Sequence, residues 1–208
     1  MQETKNPYRR DSIVIMAVRR ILQIGDPEDK KILKTKCHPV QLPNPNLKQL
    51  IEDMFDTMHE ANGVGLAAPQ IGLTQRLAVI CIPAEYEEEE DGTLVEVAAE
   101  EHYVLINPEI IKTSTKILMM NEGCLSLPGW YGDVPRAEWV TVEFQDINGK
   151  RHRLRKVGGL LGHAIQHEVD HLDGILFTER MPDITTLKDY SKRGQQAEEE
   201  TSSIAEAS

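Results

Sequence analysis

Three histidines recur every four residues in HAIQHEVDHLDG, residues 163–174. On a helix, positions i and i+4 stand one turn apart on one face, so His167 and His171 can both reach a single ion. Glu168 projects beside them, in the H-E-x-x-H arrangement whose glutamate works on water rather than ligating. His163 completes the row but not the site. Three residues at this spacing span about 12 Å, whereas His–metal bonds are about 2 Å, so only two converge on one ion. A catalytic metal usually takes a third protein ligand and keeps one position open. Downstream, Asp173 is too near along the helix, while Glu179 and Asp183 are candidates. Upstream, Cys124 offers a thiolate, a soft ligand for zinc or ferrous iron, and Gly123 before it permits close backbone approach. After its leading Asn62, NGVGLAAPQIG (62–72) carries one polar side chain, Gln70. With the Gly65 backbone it could bind or polarise a substrate carbonyl beside an ion.

Several elements must position these groups. Leu47, Leu50, Ile51, Met54, Phe55 and Met58 recur at spacings of three and four, which predicts a helix with one core-facing stripe. Asn46 is placed as its N-cap and the glycine of ANG (61–63) as its stop signal. RLAVICIP (76–83) and HYVLINPEI (102–110) read as strands, and the acidic stretch 85–101 between them as a long hairpin-type excursion. KILMMNEGCLSLP (116–128) mixes strand with turn. Two alternating runs flank Asn148-Gly149 in 138–156, a strong hairpin signal. LLGHAIQHEVDHL (160–172) is a helix with Gly158-Gly159 before it and Gly174 after it. Strands followed by this late helix predict an α+β fold of mostly antiparallel sheets packed around a central metal-binding helix.

The net charge of −11 argues against a nucleic-acid binder, which needs concentrated Lys and Arg. Much of the excess lies in EYEEEEDG (85–92), read as a solvated loop, and in the stretch 195–208. No apolar run is long enough to span a bilayer as a helix, and the first twenty residues do not read as a signal peptide, so the expected location is the cytoplasm. Three widely spaced cysteines make a poor disulfide framework; Cys81 reads as a buried core residue. Residues 1–15 are expected to be poorly ordered, 16–192 to form one catalytic domain, and 193–208 to be a disordered acidic tail.

Three segments in order, GVGLAAPQ (63–70), EGCLS (122–126) and QHEVDH (166–171), resemble the signature segments of the peptide deformylase family. AVRRILQIGDP (17–27), LINP (105–108) and VPRAEWVTV (134–142) are similar as well, so the resemblance spans about residues 16–182. It implies a metal-dependent hydrolase that removes the formyl group from N-formylmethionine of nascent chains, met at the ribosome exit, by a monomer. It implies Cys124, His167 and His171 as ligands of Fe2+, with Zn2+ or Ni2+ as substitutes. It also implies Glu168 as the general base and acid, and the Leu125 N–H and Gln70 amide as oxyanion donors. A methionine side chain needs an apolar slot, for which Val64, Met120, Leu160 and Leu161 are candidates by closeness to the motifs, with His163 at its border. Glu122 and Arg136 read as a structural pair steadying the Cys124 turn. Where the family often carries a basic residue near position 131, this chain has Trp130 and Tyr131; Tyr131 is the candidate peptide contact. Two other functions would use the same helix: a metallopeptidase, against which Cys124 is an unusual ligand, and a structural Cys-His-His site, for which no clear fourth ligand is evident.

Overall fold

The computed structural model describes residues 17–89 and 92–191. The expectations for 1–15 and 193–208 lie outside the described residues. A short helix α1 (Pro27–Leu33) is capped by Asp26, whose carboxylate accepts from the Glu28 and Asp29 amides. Helix α2 (Leu47–Glu60) follows the predicted stripe. Asn46 stands at its N-cap position, but its side chain makes no capping bond. At the other end Asn62, not Gly63, adopts the left-handed conformation (φ 53°), and Gly63 N donates to Met58 O. Asparagine tolerates that region better than most side chains, so the stop signal sits one residue earlier than glycine suggests.

Strands β1 (Gly65–Ala67), β2 (Leu77–Ile82), β3 (Glu85–Glu88), β4 (Leu94–Ala98) and β5 (Glu101–Thr113) come next. The acidic excursion is the expected hairpin, β3 with β4; both strands are solvent-exposed, so the acidic run is solvated as read but is a strand rather than a loop. Strands β6 (Ile117–Cys124), β7 (Leu127–Ala137), β8 (Trp139–Gln145) and β9 (Arg151–Gly158) lead into helix α3 (Gly159–Leu172). A single turn of helix, α4 (Phe177–Arg180), and a short strand, β10 (Lys188–Asp189), complete the described chain. The β8–β9 hairpin forms as expected, but Gly149 alone takes positive φ (80°) there. Gly149 N donates to Asp146 O and Asp146 N to Lys150 O, so Ile147 and Asn148 fill the turn and Gly149 is the left-handed residue that closes it.

The sheets are antiparallel throughout: a five-stranded one in the order β1-β2-β5-β8-β9, and a three-stranded one in the order β10-β7-β6. The five-stranded sheet is covered on both faces, which is why β2 reads LAVICI with no polar alternation. Val79, Cys81, Val104 and Ile106 pack against Ile51, Met54, Phe55 and Met58 of α2. Ile80, Leu105, Val140 and Val142 face Ala164, Ile165 and Val169 of α3. Each fully buried apolar side chain contributes roughly 1.5–3 kcal/mol, so the two layers anchor α3 firmly against the sheet. The late helix is therefore not alone: α2 seals the opposite face.

Two devices fix where α3 lies. A Cβ at Gly162 would stand 2.3 Å from the Val157 carbonyl oxygen, so only glycine lets the helix start this close to β9. The Gln166 side chain accepts from Ala137 N (2.9 Å) and donates to Ala137 O (3.0 Å), tying the helix to the end of β7. Among the described residues no helix is long and apolar enough to cross a membrane.

Candidate metal centre

Strands β6 and β7 form a hairpin in which Cys124 pairs with Leu127, leaving Leu125 and Ser126 at the tip. A register shift between Gly123 and Cys124 re-aims the cysteine toward α3. There the Sγ of Cys124 lies 3.3 Å from His171 Nε2. The ligand atoms of Cys124, His167 and His171 all fall within 4.8 Å of one another. Glu179 and Asp183, the other candidates for a third ligand, are engaged elsewhere. Glu179 is bonded to Lys34 Nζ and the Leu176 amide, and Asp183 accepts from the Thr185 amide.

The three cysteines differ in chemistry. Burial pushes the Cys37 thiol up to about 11 and the Cys81 thiol up to about 12. Burial opposes ionisation of Cys124 too, but the charges and hydrogen bonds of His171 and His167 outweigh it and bring that thiol down to about 5. Cys124 is therefore poised as a thiolate, the form that ligates metals. The Ser126 amide (3.4 Å) and the Gln70 Nε2 (3.5 Å) also donate to its sulfur.

His167 is oriented from behind. Its Nδ1 lies 2.8 Å from Glu122 Oε2, which leaves Nε2 as the nitrogen available for an ion. Glu122 is buried (3 % exposed), as is Arg136, and the two form a two-pronged pair of 2.6 and 3.0 Å. Arg136 also donates to Asp170 (2.5 Å), which Arg180 grips from outside. This pair is a buried network rather than a surface salt bridge. Burial opposes the charge on Glu122, but bonds from His163, His167 and Arg136 outweigh it and hold the carboxyl far below the usual range. His163 Nε2 lies 2.6 Å from Glu122 Oε1 and is not in the ligand group. The sequence reading placed it only at the border of a slot; its bond to Glu122 gives it a part in holding the network.

Glu168 is buried (3 % exposed), and its Oε2 makes no hydrogen bond to the protein. Burial raises its pKa above the ordinary carboxyl value. Gly65 is what admits it: a Cβ there would stand 2.2 Å from Glu168 Oε1. That gives Gly65 a reason distinct from the carbonyl contact expected of its backbone. Gln70 is buried and directed. Its Oε1 accepts from the Ala67 amide (2.9 Å), and its Nε2 donates to Ser126 Oγ (3.2 Å) and points at Cys124. Residues 22–24 bind both loops, through Leu22 N to Gln70 O, Ile24 N to Ser126 O, and Gln23 Nε2 to Leu125 O.

The slot candidates separate by burial. Val64 and Leu161 pack onto the core cluster shared with α3, and Leu160 is 45 % exposed. Met120, partly buried, sits on β6 opposite Val134. Tyr131 is exposed, its ring over Gly123 and edge-on to Tyr190 at 5.7 Å.

A thiolate and two imidazoles, one oriented by a buried carboxylate, with an unpartnered carboxylate oxygen beside them, suit a divalent ion of the zinc or ferrous type. The family model described as polypeptide deformylase matches residues 18–186. A peptide deformylase of Roseiflexus sp. (strain RS-1) is 70% identical over 177 residues, covering 85% of this chain and 96% of that one. One from Thermomicrobium roseum is 44% identical over 173 residues, covering 83% and 91%. Among solved structures, the Met-Ala-Ser-bound class I type b peptide deformylase of Acinetobacter baumannii superposes with a TM-score of 0.67 at 34% identity, covering 80% of this chain and 100% of that one. The actinonin complex of the Synechococcus elongatus enzyme gives a TM-score of 0.67 at 36% identity, covering 84% and 85%.

Proposed function

Since the chain belongs to the polypeptide deformylase family, whose members remove the N-formyl group from nascent peptides, we propose that it does so as a metal-dependent enzyme with formyl-methionine peptides as substrate. The observation that carries this reading is the convergence of Cys124, His167 and His171 beside the buried, unpartnered oxygen of Glu168.

Cys124, His167 and His171 would hold the ion, Fe2+ with Zn2+ or Ni2+ as substitutes. When bound, it supplies Lewis acidity that makes water a nucleophile near neutral pH and polarises the formyl carbonyl. Glu168 takes the proton from the attacking water and delivers it to the leaving amine; its raised pKa suits both transfers. The Gln70 amide and the Leu125 N–H meet the oxygen that gains charge. Gln70 is already aimed, because its carbonyl end is fixed by Ala67. Glu122 holds the His167 ring, so the ligand does not turn as the reaction proceeds. Strand β6 is an edge strand of its sheet and ends at Cys124, so an extended peptide can add along it with its N-terminus at the ion. The Met-Ala-Ser bound by the Acinetobacter baumannii relative is the kind of product such a groove would hold. The methionine slot is assigned to Val64, Met120, Leu160 and Leu161, with His163 at its inner wall and Tyr131 beside the peptide. Residues 16–192 act as one catalytic domain, a cytoplasmic monomer working on chains leaving the ribosome.

The test is to incubate the protein with formyl-Met-Ala and with Met-Ala peptides. Formate release from the first alone is expected. Cleavage of Met-Ala would replace this reading with a peptidase, and metal binding without either product would make the site structural.

A further inference from the structure

A second group of ligand-bearing side chains lies on the other face of the five-stranded sheet. Cys81 of β2 and His102 of β5 are directly opposed across the ladder, with Sγ and Nε2 3.6 Å apart. His59 stands in the last turn of α2, above the same face, and its ring meets His102 edge-on at 5.9 Å. The ligand atoms of His59, Cys81 and His102 lie within 4.8 Å of one another. Glu100, at the return of the acidic β3–β4 hairpin, brings Oε1 to 3.1 Å from His102 Nε2.

We propose that His59, Cys81, Glu100 and His102 form a second, structural site for a soft divalent cation of the zinc type. The distances fit. With Zn–S about 2.3 Å and Zn–N about 2.05 Å, two ligands of a tetrahedron stand about 3.6 Å apart for S and N and about 3.3 Å apart for N and O. The observed separations are 3.6 and 3.1 Å. Three donors already cluster, and Glu100, outside that cluster but bonded to His102, is the side chain that would turn in as the fourth and close the shell, as in structural sites, whereas the catalytic set has three and leaves a position open. The environment is arranged to hold the ligands still. Phe55, itself 2% exposed, packs edge-on against His102 (5.2 Å) and beside His59 (6.0 Å). Cys81 lies within the core cluster beneath α2, so it sits on a rigid strand. On binding, the thiol gives up its proton to solvent and the sulfur takes the metal. The ion would join the end of α2, the adjacent strands β2 and β5 and the root of the acidic hairpin.

The full chain is loaded with Zn2+, desalted, and assayed for zinc per chain by mass spectrometry. The parent should retain two zinc ions, and Cys81→Ser and His59→Ala one each, with deformylation per chain unchanged in both. His59 is exposed, so its alanine variant decides the matter if Cys81→Ser does not fold. In a Cys124→Ala background, Zn2+ at a hundredfold excess over its Kd should raise Tm by about 5–10 °C, and adding His59→Ala should abolish the rise. A parent holding one zinc, a folded variant that keeps the second, or a Tm rise that survives His59→Ala would each overturn the site. So would loss of turnover in His59→Ala with one zinc remaining, since that zinc would then be missing from the catalytic centre.

Discussion

Replacing Gly65 with alanine should disable the enzyme without touching a ligand or an acid. The added Cβ would stand 2.2 Å from Glu168 Oε1, 2.8 Å from its Cδ and 3.1 Å from its Cγ. Non-bonded carbon and oxygen approach to about 3.3 Å, so the carboxylate must retreat by about 1 Å. Glu168 has little room to do so, being 3 % exposed in a packed site. A misplacement of that size can cost about 100-fold in rate, which is about 2.7 kcal/mol in the barrier. Gly65 lies in β1 with no positive φ, so the backbone accepts alanine and the fold should persist. Metal content should match the parent, since Glu168 is not among the clustered ligand atoms. Steady-state assay on formyl-Met-Ala should therefore show kcat down about 100-fold, with KM within a few-fold and metal unchanged. A kcat within threefold of the parent would refute the reasoning, because it would mean that the position of Glu168 against the β1 backbone does not matter to proton transfer. Loss of metal would refute it differently, by showing that the strand shift reaches the ligands.

Glu168→Gln should keep the metal and the fold and lower kcat by about 10³-fold, since the shape stays and the proton carrier goes; parent-like turnover would remove Glu168 from the mechanism. Gln70→Ala should lower kcat by about 100-fold at unchanged metal content, and an effect confined to KM would make Gln70 a substrate-binding group only. Arg136→Met removes the guanidinium shared by two buried carboxylates, leaving Glu122 to His163 and His167 and Asp170 to Arg180, and should cost about 3–5 kcal/mol, read as a Tm lower by about 10 °C; an unchanged Tm would mean that these remaining partners suffice. His163→Leu should retain its metal and lose about 1–3 kcal/mol, because Glu122 keeps Arg136 and His167 when one bond is removed; metal loss would make His163 a ligand.

What the sequence disclosed of the site follows from the range over which each residue acts. His167, Glu168 and His171 are readable because a helix converts a spacing of four into a shared face, and the three-dimensional answer is already local. The hairpin around Asn148-Gly149 is readable for the same reason, although Gly149 alone carries the left-handed conformation. Cys124 could be ranked among third ligands by chemistry and separated from Glu179 and Asp183 only by the family resemblance. Its partner sits 47 residues away and its placement depends on a register shift that no residue type announces.

The support of the site was the least legible part. Glu122 reaches His163 and His167 across 41 and 45 residues, and Arg136 reaches Asp170 across 34. Nothing in EGCLS distinguishes a glutamate that orients a ligand from one that faces water; burial decides it, and burial is a property of the assembled sheets. The same holds on the opposite face. Cys81 reads as an apolar residue in an apolar strand, and His59 and His102 are isolated in sequence. Only the antiparallel register of β2 with β5, beneath the last turn of α2, sets these three ligand types together. In both places the chemistry was visible as residue types, while the contacts that make it act are long-range consequences of how strands pair. A His or Cys in an apolar strand should therefore be weighed by what its cross-strand neighbour offers before it is assigned to the core.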